Sequence, residues 1–379
     1  MTATGTGGAL AGLRVIDTAT LYAGPFITTL LADHGADVVK IEPPGGDPYR
    51  HAESRMWPLL ARNKKSVVAD LRAPDGAALV RALAAESDVL VVNMPTKLLL
   101  RVELDYDTVA ALNPDLVYVH VTGFGADGPY AERPGNGSLA EAMAGLTHMT
   151  GSADGPPTLA SVALGDAMTG YVGAFGVLAA CYQRANGGRG QYIDVNPLDA
   201  MLHAVGPVLT AYRPGGEVPG RLGSGMQGNP LRGVFATCDG WVVVGASTPR
   251  HVREIFALAG YDAEAPDADL AGAGLRRLRE WLATQERDAV VELFVASRLP
   301  ISPVADAADV CRNPHLAARG ALRQIETAEF GPIITPAPAP RLSNSAPGHA
   351  DRTPEVDEHG AEFRNRLLRY SSSDRERQN

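Results

Sequence analysis

The sequence predicts an α/β fold, with a mostly parallel sheet carrying helices on both faces and a smaller α+β unit after it. Three observations carry this reading. Strand and helix patterns alternate from Leu13 to Thr122. The first strands follow one another closely enough for right-handed crossovers between parallel neighbours. Periodicity then breaks between Arg213 and Gly223 and resumes with a hairpin. A length of 379 residues suits two domains better than one.

The elements are justified in order. Leu13 to Asp17 reads as a buried strand. The next helix has Pro25 in its first turn and an apolar face of Phe26, Ile27, Leu30 and Leu31. Gly35 ends it, and Asp37 to Glu42 is the second strand. Further strands are expected at Ser66 to Leu71, Val89 to Asn93 and Leu116 to Thr122. The helices between them are Pro74 to Ala85, which Pro74 can start, and Tyr106 to Leu112. Tyr192 to Val195 is a strand, followed by a helix over Pro197 to Val205. Beyond the break, Gly233 to Thr237 pairs with Trp241 to Gly245 through an Asp239-Gly240 turn. Helices follow at Arg250 to Ala259, Leu275 to Thr284 and Arg287 to Ser297. Pro332 to Pro347 reads as an extended return linker, and Ser371 to Asn379 as a polar, disordered tail.

Composition narrows the function. Hydrophobic content of 45% and charged content of 20% are those of an ordinary globular protein. A net charge of -9 argues against a nucleic-acid partner. Cys181, Cys238 and Cys311 are too far apart in sequence for a metal motif or disulfide framework, so no metal site and a reducing, cytoplasmic setting are expected. The first nine residues lack a signal pattern, and no run of 18 apolar residues exists, so no membrane span is expected. Parallel sheets bind ligands beyond the carboxyl ends of their strands. The loop there, Thr18 to Gly24, is not a G-x-G-x-x-G fingerprint, which disfavours a nicotinamide dinucleotide.

One carboxylate stands out. Gly165-Asp166 opens the small-residue apolar run from Tyr171 to Cys181. Asp166 sits where an N-cap residue would sit, and caps are far commoner than nucleophiles. From these residues alone both readings stay open.

Several stretches taken together resemble the family III CoA-transferases, the group of carnitine, bile-acid and formyl-CoA:oxalate CoA-transferases. They are Leu21-Tyr22-Ala23-Gly24-Pro25, Gly35-Ala36-Asp37-Val38-Val39-Lys40-Ile41-Glu42, Asn63-Lys64-Lys65-Ser66 and Asn113-Pro114-Asp115-Leu116-Val117-Tyr118. Gly123-Phe124-Gly125-Ala126-Asp127-Gly128-Pro129-Tyr130, Gly165-Asp166, Gly188-Arg189-Gly190-Gln191, Asp239-Gly240 and Asn313-Pro314-His315 follow in order. The resemblance implies a large Rossmann-like CoA-binding domain over 1–200, completed by 340–379. It implies a small domain over 221–323, linkers at 201–220 and 324–339, and an interlocked-ring homodimer. Acyl-CoA and a free carboxylic acid are the implied substrates, with no tightly bound cofactor.

The resemblance also assigns residues. Asp166 takes the position of the nucleophile, which passes through a mixed anhydride and an aspartyl-CoA thioester. Leu21, Ala23, Ala69, Arg72, Asn93, Met94 and Arg101 take CoA-contact positions. Arg72 and Arg101 suit phosphate, which needs fixed positive charge and fork geometry. Met94 replaces the family's usual aromatic. Lys40 and Glu42 match well, although a structural ion pair accounts for them equally. Oxyanion donors are sought in Gly223-Ser224-Gly225 and Gly228. Glu141 is a candidate for holding a carboxyl group or Asp166 in place, and a surface helix glutamate accounts for it equally. The related 2-methylacyl-CoA racemases carry Gly-His-Asp where this chain reads Gly135-Asn136-Gly137. Asn136 cannot accept a proton, which disfavours two-base racemisation. His148 reads as a loop or core histidine. The alternatives to CoA transfer are that isomerase and a non-catalytic CoA-binding protein.

Overall fold

The structure is a computed structural model. It describes residues 7–52, 56–212, 215–216, 218–226, 229–328, 330–348 and 352–365. The expected tail, Ser371 to Asn379, lies outside them.

The chain divides into two compact units. The first comprises residues 1–146, 160–211 and 315–379, and the second residues 147–159 and 212–314. In the first unit the order begins β1 (Arg14–Asp17), α1 (Ala23–Asp33), β2 (Asp37–Glu42), α2 (Met56–Ala61), β3 (Lys64–Val68), α3 (Pro74–Ala85), β4 (Val89–Val92). It continues with α4 (Thr96–Arg101), α5 (Tyr106–Leu112), β5 (Val117–Val121) and α6 (Gly137–Met143). The short α7 (Leu146–Met149) marks the junction, and α8 (Leu164–Ala185), β6 (Tyr192–Val195) and α9 (Pro197–Ala211) return to the unit.

The six strands form one sheet in the order β3-β2-β1-β4-β5-β6, every pair parallel. This is the order of a doubly wound sheet, with its reversal between β1 and β4. The expected mixed α/β class and mostly parallel sheet are therefore observed. The central strands are buried on both faces, so they read as continuous apolar runs: Val89 to Val92 are all fully buried. One core cluster packs Phe26, Ile27 and Leu31 of α1 against Val177 of α8 across Val15 and Val119. The other packs Leu79, Val80 and Leu83 of α3 on Leu90 and Val92.

α8 is the one element among the described residues long and apolar enough to cross a membrane. Gly173 and Ala174 on it are buried, and Ile27 of α1 fills the space that a side chain at Gly173 would need. Its opposite face exposes Tyr171, Phe175, Leu178 and Tyr182, spaced as one helical stripe.

In the second unit β7 (Gly225–Met226), β8 (Asn229–Ala236), β9 (Trp241–Gly245) and β10 (Ile301–Pro303) form an antiparallel sheet in the order β10-β9-β8-β7. Thr237 N–H donates to the Gly240 carbonyl across the Asp239-Gly240 turn. Helices α10 (Pro249–Leu258), α11 (Leu275–Ala283) and α12 (Arg287–Ala296) cover a core of Leu231, Phe235, Val244, Phe256, Leu282 and Phe294. α13 (Ala307–Arg312) and α14 (Pro314–Ala318) lead back to the first unit. The stretch expected to be a linker, 324–339, instead contains most of an antiparallel hairpin. Its strands are β11 (Leu322–Thr327) and β12 (Gly331–Pro336). Prolines are tolerated there because a two-stranded ribbon is all edge.

A buried charge network underlies the carboxyl edge of the first sheet. Asp17, at the end of β1, accepts from Thr28 Oγ1 (2.6 Å) and Lys64 Nζ (3.0 Å), and lies 3.8 Å from Lys40 Nζ. All these groups are buried. Burial opposes ionisation of Asp17, but the two ammonium groups outweigh it and hold the carboxyl below its usual value. Burial lowers Lys64 to about 8, although Asp17 favours its charge. Lys40 also donates to the Ala19 carbonyl, and the Asp17 carboxylate accepts from Ala19 N–H at 3.0 Å. The network thus fixes the turn after β1 from below.

Asp17→Asn keeps the shape and removes the charge that balances two buried cations. Breaking a buried pair this way costs about 3–5 kcal/mol. Urea unfolding should register that loss, and a change below about 1 kcal/mol would place the network outside the stability account.

Candidate active site

The reversal point between β1 and β4 opens onto a cleft. A cleft of about 510 Å³ is lined by Thr18 and Thr20 after β1, Glu42, Ala69 and Arg72 after β2 and β3, and Asn93 and Met94 after β4. A second, of about 290 Å³, shares Leu71, Arg72, Leu98 and Val102 with it and adds Arg81, Arg101 and Glu103.

The structure brings together four of the seven expected CoA contacts, Ala69, Arg72, Asn93 and Met94, around the larger cleft. Arg101 faces the smaller one with Arg72. Both arginines are exposed, and neither guanidinium has a partner among the described residues. Arg81, by contrast, pairs with Glu103 at 3.1 Å and donates to the Val102 carbonyl. Leu21 lies on the loop after β1, 57% exposed, with φ of 65°. Ala23 is the buried first residue of α1. Leu21 and Ala23 line neither cleft.

Asn93 has a structural duty. Its Oδ1 accepts from Thr20 N–H (3.0 Å) and its Nδ2 donates to the Thr20 carbonyl (2.7 Å). The side chain therefore bridges the two sides of the reversal point. His120 buttresses the same edge, one nitrogen 2.9 Å from the Met94 carbonyl and the other 2.9 Å from Tyr192 Oη. Burial lowers its pKa, and because a carbonyl oxygen only accepts, the contact with Met94 calls for a proton on Nε2. Lys40 and Glu42 serve ion pairs. Arg50 Nε and Nη2 donate to the two oxygens of Glu42 at 2.6 and 2.7 Å, and Lys40 sits between Asp17 and Asp47.

Asp166 lies in the first turn of α8, half-buried. It is not an N-cap. The helix begins at Leu164, the capping position falls on Ala163, and no side chain caps it. The Asp166 carboxylate points instead at the start of α6, where Gly137 N–H donates to Oδ1 at 3.2 Å. One turn further along α6, Glu141 is 1% exposed and accepts from Gly165 N–H at 2.9 Å. These two bonds clamp α6 to α8. Burial raises the pKa of Asp166, the Gly137 bond lowers it, and the Glu141 charge raises it; the net shift is upward from 3.8. A desolvated carboxylate of this kind is a better nucleophile than a hydrated one. Tyr22 and Tyr49 lie within electrostatic reach of Asp166; burial raises both phenols first, and Asp166 adds to it.

Other expectations resolve locally. Asn136 is the N-cap of α6, its Oδ1 accepting from Leu139 N–H at 3.1 Å, so a cap stands where a racemase has its base. His148 is exposed. Gly223 N–H donates to the Gly151 carbonyl and Gly225 N–H to Leu222, so both expected oxyanion donors are bonded within their own unit. Gly228 lies outside the described residues. Among the described residues no three His, Cys, Asp or Glu side chains group as metal ligands. Sequence reasoning missed Gly137, Tyr22 and Tyr49 as neighbours of Asp166. The segment 135–137 drew notice only as a departure from the racemases.

The chain matches known proteins over nearly its whole length. The profile of CoA-transferase family III matches residues 10–360. The chain is 32% identical to the succinyl-CoA–D-citramalate CoA-transferase of Chloroflexus aurantiacus, over 96% of this chain and 94% of that protein. It is 30% identical to the succinyl-CoA:glutarate CoA-transferase of Mus musculus, over 95% and 87%. The crystal structure of a CAIB/BAIF family protein from Brucella suis superposes with a TM-score of 0.83 at 30% identity, over 95% of this chain and all of that one.

Charge-assisted hydrogen bonds contribute roughly 1.5–3 kcal/mol each. Arg72→Ala and Arg101→Ala should each weaken CoA binding by about ten-fold or more in calorimetric titration. Unchanged affinity in both variants would move the nucleotide end of CoA away from the smaller cleft.

Proposed function

This chain belongs to CoA-transferase family III, and we propose that it performs CoA transfer by covalent catalysis at Asp166. The observation that carries the proposal is the carboxylate itself. It sits desolvated beside Glu141 in the first turn of α8, with an N–H on one oxygen and no cation paired to it among the described residues.

In the proposed sequence Asp166 attacks the thioester carbonyl of an acyl-CoA. An oxygen–carbon bond forms, the carbon–sulfur bond breaks, and CoA leaves as thiolate. The thiolate then attacks Asp166 Cγ in the mixed anhydride, forming an aspartyl-CoA thioester and releasing the donor acid as a carboxylate. The acceptor carboxylate attacks Cγ in turn and expels the thiolate, which takes the new acyl group from the second anhydride. Division into such steps is what makes exchange between weak nucleophiles practicable. No net proton transfer is needed, which fits a site where Asn136 only caps a helix.

CoA is proposed to enter along the carboxyl edge, with its phosphates near Arg72 and Arg101. Its pantetheine then crosses the larger cleft past Ala69 and Met94 toward the loop that bears Leu21 and Ala23. Asn93 contributes by holding that loop. The acids are proposed to be small dicarboxylates, because the similar enzymes named above act by name on succinyl-CoA with citramalate or glutarate.

The large unit is proposed to be Rossmann-like and the working protein an interlocked homodimer in the cytoplasm. The exposed stripe of Tyr171, Phe175, Leu178 and Tyr182 supports association, since so large an apolar face rarely stays in water. The three free cysteines suit a reducing compartment.

Asp166→Asn tests the chemistry. It removes the anionic oxygen and keeps the shape, so CoA transfer from succinyl-CoA should fall by several orders of magnitude. CoA affinity and melting temperature should stay near wild type. A fully active variant would end the proposal. The assembly is tested separately by light scattering on diluted protein, where no folded monomer is expected; a stable, active monomer would contradict interlocking.

A further inference from the structure

We propose that the backbone N–H of Gly137 is a catalytic oxyanion donor, stabilising the negative charge that develops on Asp166 Oδ1 whenever Cγ becomes tetrahedral. This rests on Asp166 being the covalent nucleophile.

The first support is contact with a reacting atom. Gly137 N lies 3.2 Å from Asp166 Oδ1 in the resting carboxylate, and among the described residues that N–H makes no other bond. As the first residue of α6, Gly137 has no acceptor for it within the helix. A donor already in place needs no reorganisation when charge appears.

The second support is why the residue is glycine. Gly137 does not have a positive φ, so its backbone conformation is open to any L-residue. Space is the constraint. A Cβ at Gly137 would lie 2.6 Å from Asp166 N, 2.6 Å from Oδ2 and 2.8 Å from Cγ. Gly165 repeats the argument: its Cβ would lie 2.6 Å from the Gly137 carbonyl oxygen, and its φ is not positive either. Both glycines are thus accounted for by one requirement, that the Gly137 peptide lie against the Asp166 carboxyl. Glu141 holds the approach from the other side by accepting from Gly165 N–H at 2.9 Å.

The chemistry assigns the two oxygens. Oδ2 is the attacking oxygen and becomes the bridge of the anhydride, and Oδ1 remains the carbonyl oxygen. When CoA thiolate attacks Cγ, a carbon–sulfur bond forms and charge moves onto Oδ1. It returns as the Cγ–Oδ2 bond breaks and Oδ2 departs in the donor carboxylate. When the acceptor carboxylate attacks the thioester, the same oxygen takes the charge until the thiolate leaves. One donor therefore serves both tetrahedral states at Cγ.

A side chain at Gly137 would test space rather than the donor. The informative variant is an ester in place of the Asn136–Gly137 amide, made in the full-length chain by incorporating glycolic acid at position 137. It removes the N–H and adds no atom beyond the replacing oxygen. Loss of one oxyanion donor costs roughly 10²–10³ in kcat, and that fall is expected here, with CoA Kd and melting temperature near wild type. Wild-type kcat would overturn the inference, as would a loss matched by equal loss of CoA affinity, which marks a merely structural contact. A measurement on the unmodified enzyme is independent of the variant's folding. The aspartyl-CoA thioester, carbon-13 labelled at aspartate, should show a carbonyl stretch below that of a model thioester in an aprotic solvent; an equal frequency would overturn the inference. Hydroxylamine trapping separates this from failure of the nucleophile assignment. If Asp166 is the nucleophile, its peptide is labelled in wild type during turnover with succinyl-CoA, whatever Gly137 does. No label there would remove the reading on which the inference rests.

Discussion

Two hydrogen bonds between α6 and α8 decide the geometry of the site. Gly137 N–H reaches the Asp166 carboxylate, and Gly165 N–H reaches Glu141. They run in opposite directions between the same two helices, so neither helix can slide without breaking one. The approach is close enough that side chains at positions 137 and 165 are excluded. A carboxylate so held keeps one fixed orientation, and preorganisation of that kind is the main way a weak nucleophile becomes useful. The nearby Glu141 charge works against ionisation of Asp166 while the Gly137 N–H favours it.

The cleft edge depends on a second set of fixed charges. Asp17, Lys40 and Lys64 bind the turn after β1 from beneath, and Asn93 binds Thr20 across the strand reversal. The loop that carries Leu21 is therefore tied at Ala19 and Thr20. Buried ions are costly to desolvate, and their value here is register and position rather than net stability. Arg72 and Arg101 over the smaller cleft, whose guanidinium groups have no partner among the described residues, contrast with this. They stand in solvent, where they can meet a polyanion without first giving up an internal partner.

Much of this fold was legible because the parallel strands are buried on both sides and so stand out as apolar runs. Val89 to Val92 and Val117 to Val121 needed no tertiary information. Pro74 and Gly35 marked helix ends for local reasons. The hairpin of β11 and β12 was not legible, since its prolines are those of a linker as much as of an edge strand. The family motifs led to Asp166 and to the cleft, but local reading misjudged how they work. Asp166 looked like a cap because Gly165 looked like a break, whereas the helix starts one residue before that glycine. Asn93 looked like a ligand-facing amide, and its partners lie 73 residues away. Gly137 and Asp166 are 29 residues apart. No periodicity links such pairs; only the packing of α6 on α8, or of β1 beside β4, brings them together.

The central claim is that Asp166 becomes covalently acylated, and oxygen transfer tests it most directly. An acceptor acid carrying oxygen-18 in its carboxylate is supplied with succinyl-CoA, and the enzyme is digested after several turnovers. The account predicts one heavy oxygen in the Asp166 side chain, left behind when the second anhydride is opened by CoA thiolate at the acyl carbon. Heavy oxygen at another carboxylate, or none in the protein despite full CoA exchange, would contradict it.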